Sequence, residues 1–575
     1  MSKIGKKQHA IKKSKPTAKK TKQKKLQLTD PKERRKLKRK RAAELRRKRA
    51  EERDEEVLRR AAMQGKLSLE EPAETLQAAK KKTVNGFVWR FLEKWGAQAI
   101  VFVVSIILAR KLEPEAFGTV ALATVFISIL GVFVDSGLGN ALVQKKNADD
   151  LDFSSMFYFN VGMCLFLYAI MFFAAPLIAR FYGNGELTAL IRVASLSLVV
   201  SGVKNVQHAY VSRHMLFKRF FFASLGGTII AAAVGIAMAF MGYGPWAIVI
   251  QNLVDATLDT VILWFTVKWR PKKMFSFLRL KGLFSYGWKL LASGLIDTVY
   301  NKLRTLIIGK QYQAEDLAFY NKGENFPSLF VTNINTAIDS VLFPTMSKAQ
   351  DDKAVVRQMT RRSIKTSTYI LMPIMMGLAV CAEPIIRIVY TDKWLPCVFF
   401  LRIFCFSYAF WPIHTANLNA IKAVGRSDIF LKLEILKKSI NIAAILATMF
   451  ISVKAMALSV IFTSISGQII NSWPNKKLLG YSYLSQIKDM LPSILLSCVM
   501  GAAVYCVTLL PIGNDWLMLA IQIPLGIVIY VLGSKLFKFE MFDYLLNAIK
   551  EFLNKRKQKK AAKLAAAEAA KEIEA

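Results

Sequence analysis

WRFLEKWGAQAIVFVVSIILARKLEPEAFGTVAL (89–122) is the stretch on which the reading of this chain turns. Its left arm runs apolar up to Arg110 and Lys111, breaks over a short acidic segment, and becomes apolar again from Phe117. A membrane-crossing helix needs about 20 predominantly apolar residues, and each arm reaches that length once its neighbours are added. Two membrane helices, over 87–109 and 117–138, therefore meet at a short polar turn.

Outward from that pair the pattern repeats. Further spans are predicted over 156–178, 188–211, 220–241, 246–267, 284–308, 326–346, 364–389, 398–421, 430–452, 456–473, 488–510 and 516–536. The reading is an all-α, polytopic membrane protein of about fourteen transmembrane helices. Composition agrees: 575 residues that are 53% hydrophobic, with mean hydropathy +0.31, are too apolar for an ordinary water-soluble core, so lipid must take much of that surface.

The net charge of +41 fits once it is placed along the chain. Residues 1–82 hold 30 Lys and Arg against 11 Asp and Glu, and residues 548–575 hold 8 against 4. Both tails read as solvated, and the segment from Glu33 to Gln64 has helix-forming composition with only a thin apolar stripe. The N-terminus lacks the features of a secretory signal, so insertion is expected to be directed by the first membrane helix.

Loop charge gives an independent test, because cytoplasmic connections are enriched in Lys and Arg. With the N-terminal tail inside, the inner connections hold Lys145 and Lys146, the cluster from Lys268 to Lys281, the group from Lys348 to Arg362, and Lys476 and Lys477. The opposite connections 242–245 and 511–515 have none, and 390–396 has only Lys393. Both termini are thus expected in the cytoplasm.

An internal repeat appears at an offset of 200 residues: LARKLEPEAFGTVAL (108–122) against IGKQYQAEDLAFYNK (308–322), pairing Arg110 with Lys310 and Glu115 with Glu315. Six helices separate the copies, so the halves share one orientation and are related by an axis near the membrane normal, with a site between them. The expected organisation is a basic tail (1–82), an N-lobe of six helices (83–280), a C-lobe of six (281–480), a final helix pair (481–547) and a charged tail (548–575).

Polar residues inside membrane helices are costly, so their placement points to function. In the seventh span Lys289, Ser293, Asp297, Tyr300 and Arg304 share one helical face, with Asn301 and Lys302 adjacent. The eighth span carries Ser328, Thr332, Asn335 and Asp339, and the first carries Arg90, Lys94, Gln98 and Ser105. A water-filled cavity between the lobes satisfies such stripes, and its cations attract phosphate or uronate groups. The alternative is structural: Arg90, Lys94 and Lys289 snorkel to the interface, and Arg304 pairs with Asp297. Asp255 and Asp297 are candidates for proton or sodium coupling, with helix packing as the competing role. His208 and His414 read as packing or interface residues. The six cysteines Cys164, Cys381, Cys397, Cys405, Cys498 and Cys506 lie in or beside apolar segments, indicate neither a disulfide frame nor a metal site, and read as small buried apolar residues. No phosphate-binding GxxxxGK[ST] loop, HExxH pair or GxSxG elbow occurs, which disfavours an ATP-driven pump or a membrane hydrolase.

The stretches 89–122, FVDSGLGNALVQKK (133–146) and FSYGWKLLASGLIDTVYNKLRTLIIGKQYQAEDLAFYNK (284–322) resemble the polysaccharide flippases of the MOP superfamily, in particular the Wzx and teichuronic-acid-exporter branch. The resemblance covers residue 84 to about 545, and its specific part is the AR-x-L-x-P-x-x-F-G stretch followed by D-x-G-L. Ala318-Phe319-Tyr320 stands where such exporters have a Gly-Tyr pair, and the long basic N-terminal tail departs from the pattern.

The resemblance implies two six-helix lobes with pseudo-two-fold symmetry around a cavity, plus a final pair. It implies a transporter, not an enzyme. Its cargo would be a polyprenyl-pyrophosphate-linked oligosaccharide, moved across the bacterial inner membrane by alternating access for lipopolysaccharide, capsule or exopolysaccharide assembly. No cofactor is implied. Partners would be membrane lipids and a polysaccharide polymerase or glycosyltransferases. Basic residues of the first and seventh helices meet the pyrophosphate in such flippases, and Arg90, Lys94, Lys289, Lys302 and Arg304 occupy those helices here. Two other readings stand beside it. One is an ion-coupled drug or cation exporter of the MATE type, against which the abundance of Arg and Lys argues. The other is a membrane anchor for a nucleic-acid-binding tail, since KERRKLKRKR (32–41) can contact phosphates, but the tail lacks interleaved aromatics and lying on anionic lipid is the simpler role.

Overall fold

The computed structural model describes residues 96–551, save 136–138, 140, 141, 144, 146, 147, 215 and 548, with a few isolated positions in either tail. Arg90, Lys94 and nearly all of both tails lie outside the described residues. Among the described residues every regular element is helical. The first half contains α1 (96–111), α2 (Pro114–Asp135), α3 (Asp150–Tyr182), α4 (Glu186–Ala194), α5 (Leu196–Arg213), α6 (Phe217–Phe240) and α7 (Pro245–Thr266). The second contains α8 (Phe277–Gln311), α9 (Ala314–Lys348), α10 (Lys353–Val380), α11 (Ala382–Tyr390), α12 (Cys397–Ala409), α13 (Trp411–Ala423), α14 (Ser427–Thr448) and α15 (Val453–Leu479). The pair α16 (Tyr483–Thr508) and α17 (Asp515–Leu536) follows and packs on α10, with a further helical segment described at 540–547.

Ten spans among the described residues are long and apolar enough to cross a membrane, with α4–α5 and α12–α13 each counted as one. The predicted spans outside that ten fall on α1, described only from residue 96, and on α8, α9 and α14, which carry polar and charged side chains. Large apolar side chains stand bare on the outside, Phe265 at 80% exposure and Phe173 at 75%, a surface that only lipid covers.

Helix starts follow their caps. Asp149 caps α3 in a capping box with Asp152, Ser276 caps α8, Asp352 caps α10 and Asn514 caps α17. The main departure from the sequence reading is α9, which begins at Ala314 rather than 326. Its first turns, AEDLAFYNKGEN, are polar enough to pass for a loop, yet they are packed between the lobes.

At one end of the N-lobe the segment 149–155 pins the connection between the lobes. Asp150 is fully buried, accepts from Lys272 Nζ at 2.6 Å and from Trp269 Nε1 at 3.1 Å. Asp152, also fully buried, accepts from Lys145 Nζ at 2.5 Å. Ser154 Oγ accepts from the Lys272 backbone N–H at 3.0 Å and Ser155 Oγ from that of Ser276 at 2.8 Å. Arg213 closes the group by donating to the Lys145 carbonyl at 2.5 Å. Three connections predicted to lie on one side therefore touch one another.

The connections predicted for the other side also meet, and they do so reciprocally across the lobes. Arg110, at the end of α1, donates to the carbonyls of Ile388 and Val389 at the end of α11. Lys310, its partner in the repeat, donates to the carbonyl of Phe181 at the end of α3 and lies over that ring. Phe181-Tyr182-Gly183 and Val389-Tyr390-Thr391 both end their helices after a Tyr at a residue of positive φ, Gly183 (70°) and Thr391 (85°). The neighbouring Arg192 and Arg402 likewise each donate Nε to a carbonyl of the preceding membrane helix, Phe172 at 3.1 Å and Ala379 at 3.2 Å. The weak repeat in sequence is thus a two-fold exchange of contacts in space. Trp394 wedges into the seam, its Nε1 donating to the Ala109 carbonyl at 2.8 Å and its ring edge-on to Phe117 and Phe319. The lobes are sealed on this side.

Candidate functional site

Beneath the seal a cavity of about 260 Å³ lies between the lobes, lined by Ser105 of α1, Phe117 and Thr124 of α2, Asn252 of α7, and Asn321, Lys322 and Asn325 of α9. A second cavity of about 500 Å³ inside the N-lobe shares Thr124 and Asn252 with it and adds Ser128, Ser197 and Ser201. Hydroxyls, amides and one ammonium stand in this space among apolar side chains such as Val120, Ile248 and Leu198. Such a lining suits a sugar, which offers donors and acceptors in every direction.

The seventh-helix stripe is only partly open. Lys289, Ser293, Asp297 and Asn301 are exposed at four-residue spacing along α8. Further along, Arg304 is consumed inside the C-lobe: it donates to the Met456 carbonyl at 2.6 Å, Ser459 Oγ at 3.0 Å and Asn441 Oδ1 at 2.7 Å, while Asn441 donates to the Tyr300 hydroxyl. Asp297 pairs with Lys438 of α14, not with Arg304 as the structural alternative held. Lys302 is half-buried and, with Arg304, is one of the charges facing Glu324. Gln98 is exposed on α1.

On α9, Asp339 accepts from Asn419 at 2.7 Å and the Asn335 Oδ1 is buried without a partner. Asp255 accepts from Thr228 of α6 at 2.9 Å, and its neighbour Asp259 pairs with Lys204 of α5 at 3.0 Å. His208 lies against the Phe220 ring and His414 meets Asn471 at 3.0 Å, both packing positions. Four of the cysteines are buried, but Cys498 and Cys506 are exposed on α16, a correction to the reading of all six as buried.

Sequence reading missed Lys322 and Glu324. Lys322 is 4% exposed and Glu324 accepts from the Tyr408 hydroxyl. Both were placed in a loop, although the repeat carries the signal: 114–122 begins a helix, so its copy 314–322 should begin one as well.

Paired helical bundles exchanging contacts about an axis between them, an apolar exterior and a cavity under one sealed end match the architecture of membrane proteins built from two repeated lobes. The chain belongs to the polysaccharide biosynthesis protein family, whose model matches residues 107–399. It is 27% identical over 314 residues to the succinoglycan biosynthesis transport protein ExoT of Rhizobium meliloti (strain 1021), covering 54% of this chain and 64% of that one. It is 24% identical over 447 residues to the lipopolysaccharide biosynthesis protein WzxC of Escherichia coli (strain K12), covering 73% and 88%. The match to the teichuronic acid biosynthesis protein TuaB of Bacillus subtilis (strain 168) is 24% identical and covers 53% and 63%. The matched part of the chain thus spans just under two thirds of the first and third of these relatives. In fold the chain is similar to the lipid II flippase MurJ in an inward closed conformation, with TM-score 0.62, 17% identity and coverage of 79% of this chain and 98% of that one. It is also similar to an inward-facing multidrug MATE transporter of the MOP superfamily, with TM-score 0.55, 13% identity and coverage of 67% and 94%.

Proposed function

We propose that this protein is a flippase that moves a polyprenyl-pyrophosphate-linked oligosaccharide from the inner to the outer leaflet of a bacterial cytoplasmic membrane, for surface polysaccharide assembly. The observation that carries the reading is the cavity between the lobes, lined by hydroxyls, amides and Lys322 under a closed seam. A cation exporter needs carboxylates open to its cavity, whereas none lines this one among the described residues. The relatives named for succinoglycan, lipopolysaccharide and teichuronic acid biosynthesis support the class of cargo.

Lys289 and Lys302 are proposed to receive the pyrophosphate, since Lys289 is exposed along the open edge of α8 and neither lysine has an ion pair among the described residues. Arg304 is proposed to hold α8 against α14 and α15. A proton or sodium gradient is proposed to act at Asp255, and both tails are proposed to lie in the cytoplasm, where a polymerase or glycosyltransferases would be neighbours. In a strain lacking its own copy, Lys289→Ala with Lys302→Ala is expected to lower polymer export about a hundredfold or more at unchanged protein level, since losing two charge-assisted contacts removes ~1.5–3 kcal/mol each. Export at the wild-type rate in the double variant would refute the assignment.

A further inference from the structure

Lys322 is a charge without a counter-charge. The residue is 4% exposed, yet the one hydrogen-bond partner of its ammonium is Ser105 Oγ at 2.8 Å. The rest of its surroundings are ring faces: Phe117 at 4.3 Å, Tyr390 at 4.7 Å and Trp394 at 5.4 Å from Nζ to each centroid. No carboxylate pairs with it among the described residues, and Glu324, two positions on, is taken by Tyr408. An ammonium has three protons to donate, and ring quadrupoles stabilise the charge without matching what an anion supplies in a dry site.

The cage is also the seal. Ser105 and Phe117 belong to the N-lobe, Tyr390 and Trp394 to the C-lobe, and Trp394 is the wedge bonded to Ala109. Lys322 lines the cavity beside the amides of Asn252, Asn321 and Asn325. Resting on the flippase reading, we propose that this pocket binds an oxyanion of the cargo, phosphate or sugar carboxylate, and that binding draws Lys322 out of its aromatic cage and so loosens the outer seam. The cargo itself then triggers opening toward the far leaflet, and an empty carrier stays shut. The amides of Asn252, Asn321 and Asn325 are placed to share the anion's remaining oxygens.

Cross-linking across the seam reads this directly. Glu113 and Lys393 face each other across it at 3.4 Å, so Glu113→Cys with Lys393→Cys, on full-length protein in nanodiscs with Cys498 and Cys506 changed to Ser, is joined by a short bis-methanethiosulfonate. Farnesyl diphosphate is expected to lower the cross-linked fraction at least threefold while farnesol does not. A parallel arm with glucuronic acid distinguishes the sources: a response there assigns the pocket to the sugar, and a response to the diphosphate alone assigns it to the lipid phosphate. Lys322→Met should abolish the response. Ser105→Ala, which keeps the charge, should start from a looser seam and still respond. Identical responses in wild type and Lys322→Met, or binding of diphosphate with no change in the wild-type seam, overturn the proposal. Failure of the wild type to bind either anion overturns the cargo reading, and this proposal with it.

Discussion

Asp150→Ala is expected to lower the thermal stability of the purified protein more than any other single change in the N-lobe. The carboxylate is fully buried and joins Lys272 at 2.6 Å to Trp269 at 3.1 Å, so its removal leaves an ammonium at 18% side-chain exposure and an indole N–H without their acceptor. Breaking one side of such a pair typically destabilises by ~3–5 kcal/mol, and the low end suits a lysine that water still reaches. The same loss frees the 267–276 connection, because Lys272 also holds Ser154 through its backbone. Asp150→Asn keeps an acceptor for Trp269 but loses the charge, and should fall between Ala and wild type. The order wild type, Asn, Ala in apparent Tm, at one scan rate because unfolding in detergent is commonly irreversible, checks this. Equal values for all three would show that the cluster does not anchor the lobe.

Gly118→Ala is expected to open the outer seam. A Cβ at Gly118 would lie 1.8 Å from the Ala314 carbonyl oxygen and 2.4 Å from its carbon, both backbone atoms that no rotamer can move aside. Overpacking of this kind costs ~1–3 kcal/mol, which lowers the sealed population roughly five- to 150-fold relative to the open one. The sign separates this from a folding effect, because Ala is the better helix former by ~1 kcal/mol and, away from the seam, should stabilise α2. Gly131 is the control: on the same helix, with nothing within 4 Å of its added Cβ, it should accept Ala with α2 stabilised and the seam still shut. Labelling Thr124→Cys, in the cavity beneath the seam, by a membrane-impermeant maleimide added on the seam side is expected to be blocked in the parent, fast with Gly118→Ala and blocked with Gly131→Ala. Equal labelling with both replacements would contradict a seal at the α2–α9 crossing.

The membrane class and the two-lobe arrangement were legible because they follow from patterns that many residues share. A run such as 100–108 survives any single exception, and the lysines that mark one set of connections are the ones found together at Asp149–Ser155. The least apolar of the predicted spans are α8, α9 and α14, where polar side chains that meet a cavity or one another share the helix with exposed apolar ones such as Ile296 and Leu431. Arg304 shows the limit from the other side. Its spacing puts it on the wet face of α8, but Asn441, Ser459 and Met456 come from helices more than 130 positions away, and no local pattern announces them. Lys322 looked like a loop residue for the same reason, since its partners are three rings and a hydroxyl drawn from both lobes.

Transport itself is the direct test of the central claim. Purified protein in unilamellar vesicles, with a fluorescent polyprenyl-diphosphate oligosaccharide in both leaflets, is assayed by the fraction of sugar that an external glycosidase can reach over time. That fraction is expected to rise from about half toward completion with the wild type, to stall at about half when Glu113→Cys and Lys393→Cys are cross-linked, and to recover on reduction. A time course with the wild type that matches protein-free vesicles would contradict a flippase.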